Sequence, residues 1–184
     1  MMTHTARFAF SAACVLACAA MLPSAAEAQS KNFSRGDRVL SAGFMTGGDY
    51  DGTGLGVQAE FGVLPIGKAT LGIGGFVGYQ HSSKSAGVFK STTTTLPFMV
   101  ISNLHIPIES QPNLDLYGGV SIGFLHTSAE VEGLGAVGGK ASNTGSGFGV
   151  QLGARYWLVS KLGVNAQIGF KDIPLIQAGV SLKF

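Results

Sequence analysis

From residue 38 onward, apolar and polar residues alternate with a period of two over most of the chain. The clearest stretch is residues 54–64, where one set of alternate positions is apolar: Leu55, Val57, Ala59, Phe61 and Val63. The positions between them are small or polar: Gly56, Gln58, Glu60 and Gly62. Side chains of an extended strand point to opposite faces in turn, so this spacing predicts a strand with one apolar face.

The same alternation predicts eight strands in all. The strands are expected over residues 38–46, 54–64, 69–80, 91–106, from 114 to the start of a glycine-rich segment, 146–158, 162–171 and 175–184. Longer loops are predicted at 47–53, 81–90 and 128–145, and shorter connections at 65–68, 107–113, 159–161 and 172–174. Pro97 lies inside the fourth strand and predicts a bulge or an early break in pairing, because proline cannot donate a ladder hydrogen bond.

The last stretch, residues 175–184, has the same two faces. Its apolar face carries Ile176, Ala178, Val180, Leu182 and Phe184, and its polar face carries Gln177, Gly179, Ser181 and Lys183. The backbone edge of such a strand requires another strand beside it. We therefore predict that it pairs with the seventh strand and closes a barrel against the first.

The first 28 residues have the pattern of a signal peptide. A weakly basic start at Arg7 precedes an apolar stretch, and Ala26-Glu27-Ala28 forms a small-x-small cleavage site. Residues 29–37 are then a polar lead-in on the periplasmic side. Both cysteines fall inside the predicted leader, so the mature chain is expected to have no disulfide. An alternative stays open, in which Cys18 is lipidated at a lipoprotein-like box.

Composition indicates where the apolar faces point. Only 12% of residues are charged, 28 are glycine, and the net charge of +2 gives no nucleic-acid footprint. After the leader there is no apolar run of about 18 residues that would form a spanning helix. The polar faces hold glycine, glutamine, serine and threonine, which suit a crowded interior, while the apolar faces suit lipid. We predict an all-β, eight-stranded, antiparallel up-and-down transmembrane β-barrel over residues 38–184.

Over these residues the chain resembles the small eight-stranded bacterial outer-membrane barrels of the OmpA and OmpX type and the opacity-like porins. The resemblance implies that Val180, Leu182 and Phe184 form a carboxy-terminal signal for the outer-membrane assembly machinery. It also implies a monomer in the outer membrane, surrounded by lipids that include lipopolysaccharide, with no cofactor. The chain differs from OmpA in stopping at the barrel, so the resemblance implies no peptidoglycan-binding domain.

Candidate functional residues lie on the inward faces. Glu60, Asp115 and Arg155 are expected near the periplasmic ends of their strands, where Arg155 pairs with either carboxylate because an unpaired buried charge is strongly unfavourable. With Gln58, Gln151 and Gln167 they would form a polar network in the lumen. This network is either a structural filler or an electrostatic gate. An eight-stranded interior is only wide enough for its own side chains, although inward glycines are expected to leave room for water. The predicted obstructions are Phe76, Tyr117, Gln151 and Arg155.

Enzymatic chemistry has one weak candidate. His126 and Ser128, with Glu130 or Glu132, faintly resemble the site of outer-membrane lipid A deacylases, but Ala129 stands where that family has asparagine. His81 and His105 have no partners at metal-ligand spacing. Three hypotheses follow: a non-enzymatic barrel with a structural, surface-interaction or envelope-integrity role, a narrow porin-like channel, and a lipid A-modifying enzyme. No catalytic, cofactor or metal residue is predicted under the first hypothesis.

Overall fold

A computed structural model describes residues 32–48, 52–132 and 138–184. The predicted signal peptide, with Ala26 and Ala28, lies outside the described residues. The described chain forms eight strands: β1 Arg38–Thr46, β2 Thr53–Ile66, β3 Ala69–Ala86, β4 Phe89–Pro107, β5 Leu114–Glu132, β6 Gly139–Trp157, β7 Leu162–Lys171 and β8 Ile176–Lys183.

The strands form a closed barrel in which each strand is antiparallel to its neighbours in chain order. The ring is completed by β1 and β8, which pair from Val39 with Lys183 to Thr46 with Ile176. The predicted fold class is therefore confirmed, as is the prediction that the last strand closes the barrel. We call the β1–β8 pair the seam. Residues 32–37, which lead into β1, and Phe184 lie at one end of the barrel, which we call the lower end.

The barrel is polar inside and apolar outside. Large apolar side chains such as Phe44, Ile122 and Phe124 are more than 60% exposed. Residues such as Asn103, Ser181 and Lys183 are fully buried. This distribution is the reverse of that in a soluble domain and matches an outer surface that faces lipid. In the part of the chain that the structure describes, no helix is long and apolar enough to cross a membrane.

Five strands are longer than predicted: β2 continues to Ile66, into the predicted turn at 65–68, and four others extend at their upper ends. β3 continues to Ala86, β4 begins at Phe89, β5 continues to Glu132 and β6 begins at Gly139. Most of the predicted loops at 81–90 and 128–145 are therefore strand, and those two predictions are wrong. In these segments both faces are largely polar, so the apolar period disappears although the backbone ladder continues.

The pairing around Pro97 is interrupted without a bulge. Between β3 and β4 there are no pairs opposite Leu96 and Pro97, and pairing resumes in the same register at Gln80 with Thr95. The missing proline N–H accounts for the gap. A register shift occurs instead in the β2–β3 ladder, next to Gly62.

The extra length of β3 to β6 forms a second feature, which we call the protruding sheet: residues 81–86, 89–95, 126–132 and 139–147. These strands have 18 or 19 residues, whereas about 9–11 residues cross a bilayer. The extra residues remain paired, as Lys90 with Glu132 shows. β2 pairs with β3 only as far as His81, and β7 pairs with β6 only from Gly149. Among the described residues, no strand pairs with the outer side of β3 beyond His81 or of β6 before Gly149, and we call these the two open edges of the protruding sheet, at the end of the barrel away from Phe184.

Candidate functional site in the barrel lumen

A cluster of buried charges fills the lower part of the lumen. Glu60 on β2, Asp115 on β5 and Arg155 on β6 are each no more than 1% exposed. Arg155 donates from Nη1 to Asp115 Oδ2 at 3.1 Å and from Nη2 to Glu60 Oε2 at 3.4 Å. Asp115 and Arg155 are direct cross-strand partners. The structure therefore brings together the three charged residues that the sequence places on the inward faces.

His105 completes this cluster from β4. Its Nε2 lies 2.9 Å from Glu60 Oε1, and its Nδ1 lies 2.9 Å from Asp115 Oδ1. Each contact requires a proton between nitrogen and oxygen, and with both ring nitrogens protonated the histidine is a cation. Two carboxylates then face one guanidinium and one imidazolium, so the cluster is neutral. We call these four residues the charge cluster.

Sequence reasoning missed the role of His105, although a signal was present. His105 is two residues beyond Asn103, which the alternation places on the inward face, so it shares that face. The alternation of the strand therefore places His105 in the lumen, whether or not it has partners at metal-ligand spacing. In the described part of the chain, no three His, Cys, Asp or Glu residues are arranged to hold a metal ion.

Neutral polar side chains extend the cluster upward. Asn103 donates to Glu60 Oε1 at 2.8 Å, and Gln151 donates to Asn103 Oδ1 at 2.8 Å. Tyr117 donates its hydroxyl to Gln167 Oε1 at 3.2 Å. Gln151 is thus hydrogen-bonded to the cluster through Asn103, whereas the Tyr117–Gln167 pair meets the cluster only through the Tyr117 ring, which stacks on His105 and lies beneath Arg155. Gln58 is also buried in the lumen, paired in register with Phe76.

An apolar cluster closes the lumen above the polar network. It consists of Met45, Phe76, Met99, Ile101 and Ile173. Ile173 comes from the β7–β8 connection, which therefore enters the barrel instead of remaining a surface loop.

The inward glycines do not leave the space that the sequence suggested. A Cβ added at Gly149 would lie 2.7 Å from Ile173, and one added at Gly153 would lie 2.3 Å from the Tyr117 ring. Neighbouring large side chains occupy the room above these glycines. The glycines thus allow the lumen to be filled.

The lead-in segment closes the lower end. Phe33 is 3% exposed and stacks on the His105 ring with centroids 3.9 Å apart. It also packs in a buried cluster with Val39 and Trp157. Lys183 donates to the backbone oxygen of Asn32 at 2.8 Å. No periodic pattern predicts this arrangement, because Phe33 is a single phenylalanine in a polar stretch.

The other sequence candidates lie outside the lumen. The Nδ1 atom of His126 is 2.8 Å from Thr144 Oγ1, on the outer face of the protruding sheet that Ser128 shares. Lys171 is exposed at the upper end of β7. Of the carboxy-terminal residues, Val180 and Phe184 face outward, 51% and 42% exposed, and Leu182 is half-buried.

A closed barrel with a charged, hydrogen-bonded interior and an apolar exterior defines a transmembrane β-barrel. The chain belongs to the family described as the outer membrane protein beta-barrel domain, whose model matches residues 10–184. Its location is therefore the outer membrane.

Solved structures share this fold at low sequence identity. Ail, the attachment invasion locus protein of Yersinia pestis, is 13% identical, with a TM-score of 0.51 over 81% of this chain and 95% of that chain. A structure of Ail in complex with the heparin analogue sucrose octasulfate gives the same values. Neisserial surface protein A is 16% identical, with a TM-score of 0.43 over 80% of this chain and 96% of that chain. Comparison with curated protein sequences gives no match.

Proposed function

We propose that the protein is a non-enzymatic outer-membrane barrel that presents the protruding sheet outside the cell for interaction with partner proteins. The observation that carries the proposal is the length of β3 to β6, each 18 or 19 residues. Beyond a membrane span of about 10 residues, roughly eight remain, which extend about 27 Å along the strand. Bacterial barrels have short periplasmic turns and longer extracellular connections, so the lower end faces the periplasm and the protruding sheet faces outward.

The two open edges of the protruding sheet favour a partner that supplies an extended segment. Unpaired backbone N–H and C=O groups are a template for strand addition. The outer face is close to neutral, because Lys90 lies opposite Glu132 and Lys140 lies opposite Glu130. Recognition through the backbone edge therefore fits this surface better than recognition of a strongly charged ligand. Lysines near the edges, Lys84 on β3 and Lys140 on β6, would limit unspecific pairing.

The proposal extends to attachment and to the surroundings of the barrel. Ail, which shares the fold, is by its name an attachment invasion locus protein, and an attachment role is part of what we propose here.

The outer surface would contact lipids that include lipopolysaccharide, around a monomeric barrel. Val180, Leu182 and Phe184 would be read by the outer-membrane assembly machinery.

Trimming the protruding sheet tests this function. One variant replaces residues 83–92 and 130–140 each by Asn-Gly, the preferred two-residue hairpin turn. Retention of expressing cells on epithelial monolayers should fall to the level of cells without the protein. Outer-membrane abundance and heat-dependent gel migration should stay normal, as they should in a Lys68→Ala control in a lower turn. Undiminished retention of the trimmed variant would contradict the proposal.

A closed lumen is the second part of the proposal. Support comes from the charge cluster below and the apolar cluster above, which fill the interior between them. The purified protein should give no conductance steps in a planar bilayer. Regular single-channel steps would favour the narrow-channel hypothesis instead.

We also propose that the protein has no enzymatic activity, and the support comes from the contacts of His126. Its ring bonds Thr144 on the neighbouring strand, which supports a structural role at the membrane boundary. Overexpression should leave the mass spectrum of lipid A unchanged. If overexpression removed an acyl chain from lipid A, and the Ser128→Ala variant did not remove it, the deacylase alternative would be established.

Export through a cleaved signal peptide also belongs to the proposal. The small residues Ala26 and Ala28 support cleavage before Gln29. Amino-terminal sequencing should begin at Gln29. A lipid-modified mature chain that begins at Cys18 would favour the lipoprotein alternative.

A further inference from the structure

The lower end of the lumen contains a slot shaped by two glycines. A Cβ added at Gly62 would lie 2.1 Å from the backbone oxygen of Ser34. One added at Gly72 would lie 2.7 Å from Glu60 Oε1 and 3.1 Å from the Phe33 ring. Neither glycine has a positive φ angle, so crowding and not backbone conformation accounts for both glycines. Ser34 crowds position 62, and Glu60 together with Phe33 crowds position 72.

Residues 32–37 are bound in this slot by backbone hydrogen bonds. Gly36 donates to the Gly62 oxygen at 2.8 Å, and Gly62 donates to the Asp37 oxygen at 2.9 Å. The segment also folds on itself, because Ser34 N donates to Asp37 Oδ2 at 2.9 Å. The segment therefore has a defined conformation on the inner wall of β2.

The same segment reaches β8 across the lumen. Lys183 is fully buried; its Nζ donates to the Asn32 oxygen and lies 3.1 Å from Asp37 Oδ2. The segment thus links β2 and β8, the strands on either side of β1. It bridges the seam from the inside.

Phe33 forms the apolar tip of the segment. It lies between the His105 ring, which belongs to the charge cluster, and the side chains of Val39 and Trp157. Trp157 is 0% exposed. Phe33 therefore separates the charge cluster from the lower opening of the barrel.

We propose that residues 32–37 form a plug that seals the lower end of the lumen and fastens the seam, and that displacing this plug admits water to the charge cluster. The inference goes beyond the proposed surface function and does not depend on it. Its physical basis is that a water-free setting strengthens each ion pair of the cluster. The sheet itself need not open for the plug to leave.

Trp157 provides a native probe, because it is the single tryptophan of the chain. The test measures quenching of its fluorescence by acrylamide in the purified barrel in detergent. Gly62→Ala places a methyl group where the plug must dock, so the quenching constant should rise several-fold. Gly75→Ala is the matched control on the neighbouring strand, because its Cβ would meet nothing closer than 3.7 Å. This control should quench like the wild type.

Asp37→Ala supplies a second variant that adds no atoms. It removes the carboxylate that binds both Ser34 and Lys183, so a smaller rise in the quenching constant is expected. Heat-dependent gel migration confirms that each variant is a folded barrel. If folded Gly62→Ala and Asp37→Ala both remain as protected as the wild type, residues 32–37 are not a seal. An equal rise in Gly75→Ala would also overturn the proposal, since general loosening would then explain the effect.

Discussion

At the scale of single residues, the lumen depends on the balance of charge around His105. The two ring nitrogens bridge the same two carboxylates that Arg155 contacts. Each buried ion therefore has partners of opposite sign, and the removal of one partner leaves an uncompensated charge. The expected penalty for such a loss is about 3–5 kcal/mol.

Replacement of Arg155 tests this balance. Arg155→Met should lower the free energy of unfolding by about 3–5 kcal/mol, because two carboxylates then face only one cation. Denaturant titration followed by Trp157 fluorescence measures the change. Lys68→Ala breaks an exposed pair with Glu109 and should have no measurable effect.

A double variant separates charge balance from lost packing. Glu60→Gln added to Arg155→Met leaves one carboxylate opposite one imidazolium, so the cluster is again neutral. The double variant should be more stable than the sum of the two single effects predicts. Simple additivity would mean that the cluster is not electrostatically coupled.

The alternation of the sequence predicted these residues only in part. It placed Glu60, Asp115 and Arg155 on the inward face because they lie in strands with clear apolar partners. Phe33 and Ile173 lie outside the strands, in segments without a period. Their positions follow from packing inside the closed barrel, which local sequence does not encode.

At the scale of elements, the two faces of β8 have different functions. Val180, Leu182 and Phe184 face outward in the alternation of a terminal barrel strand, while Ser181 and Lys183 are buried. Assembly and stability should therefore respond to different residues of one strand.

Deletion of Phe184 should impair assembly of the barrel, whereas substitution of Lys183 should lower its stability. Without Phe184, the amount of protein in the outer membrane should fall strongly. Lys183→Met should reach the outer membrane normally but unfold at a lower temperature, because Asp37 loses its cation. Fractionation and heat-dependent gel migration measure the two effects. Normal membrane levels without Phe184 would contradict its role as an assembly signal.

The predictability of the elements follows from their surroundings. β1 and β7 match their predicted bounds, since lipid on one side and the lumen on the other impose a strict alternation. The upper ends of β3 to β6, residues 81–86, 89–90, 128–132 and 139–145, are predicted as loops, because water meets both faces there and no apolar period is required. Residues such as Ser83 and Ser142 show this loss of contrast.

At the scale of the whole molecule, the chain is a sealed barrel that carries a protruding sheet on one end. The seal consists of the plug below, the charge cluster in the middle and the apolar cluster around Ile173 above. The strands of the filled barrel continue directly into the protruding sheet, so the barrel carries this sheet on a paired backbone ladder. This arrangement fits presentation of a surface, and the described residues fill the lumen with side chains.

Labelling of intact cells tests this account most directly. Single cysteines are introduced at Ser83 in the protruding sheet and at Lys68 in a lower turn, and a membrane-impermeant maleimide is added from outside. We predict labelling at position 83 in intact cells, and at position 68 only after the outer membrane is permeabilised. Labelling at position 68 but not at position 83 in intact cells would contradict the account.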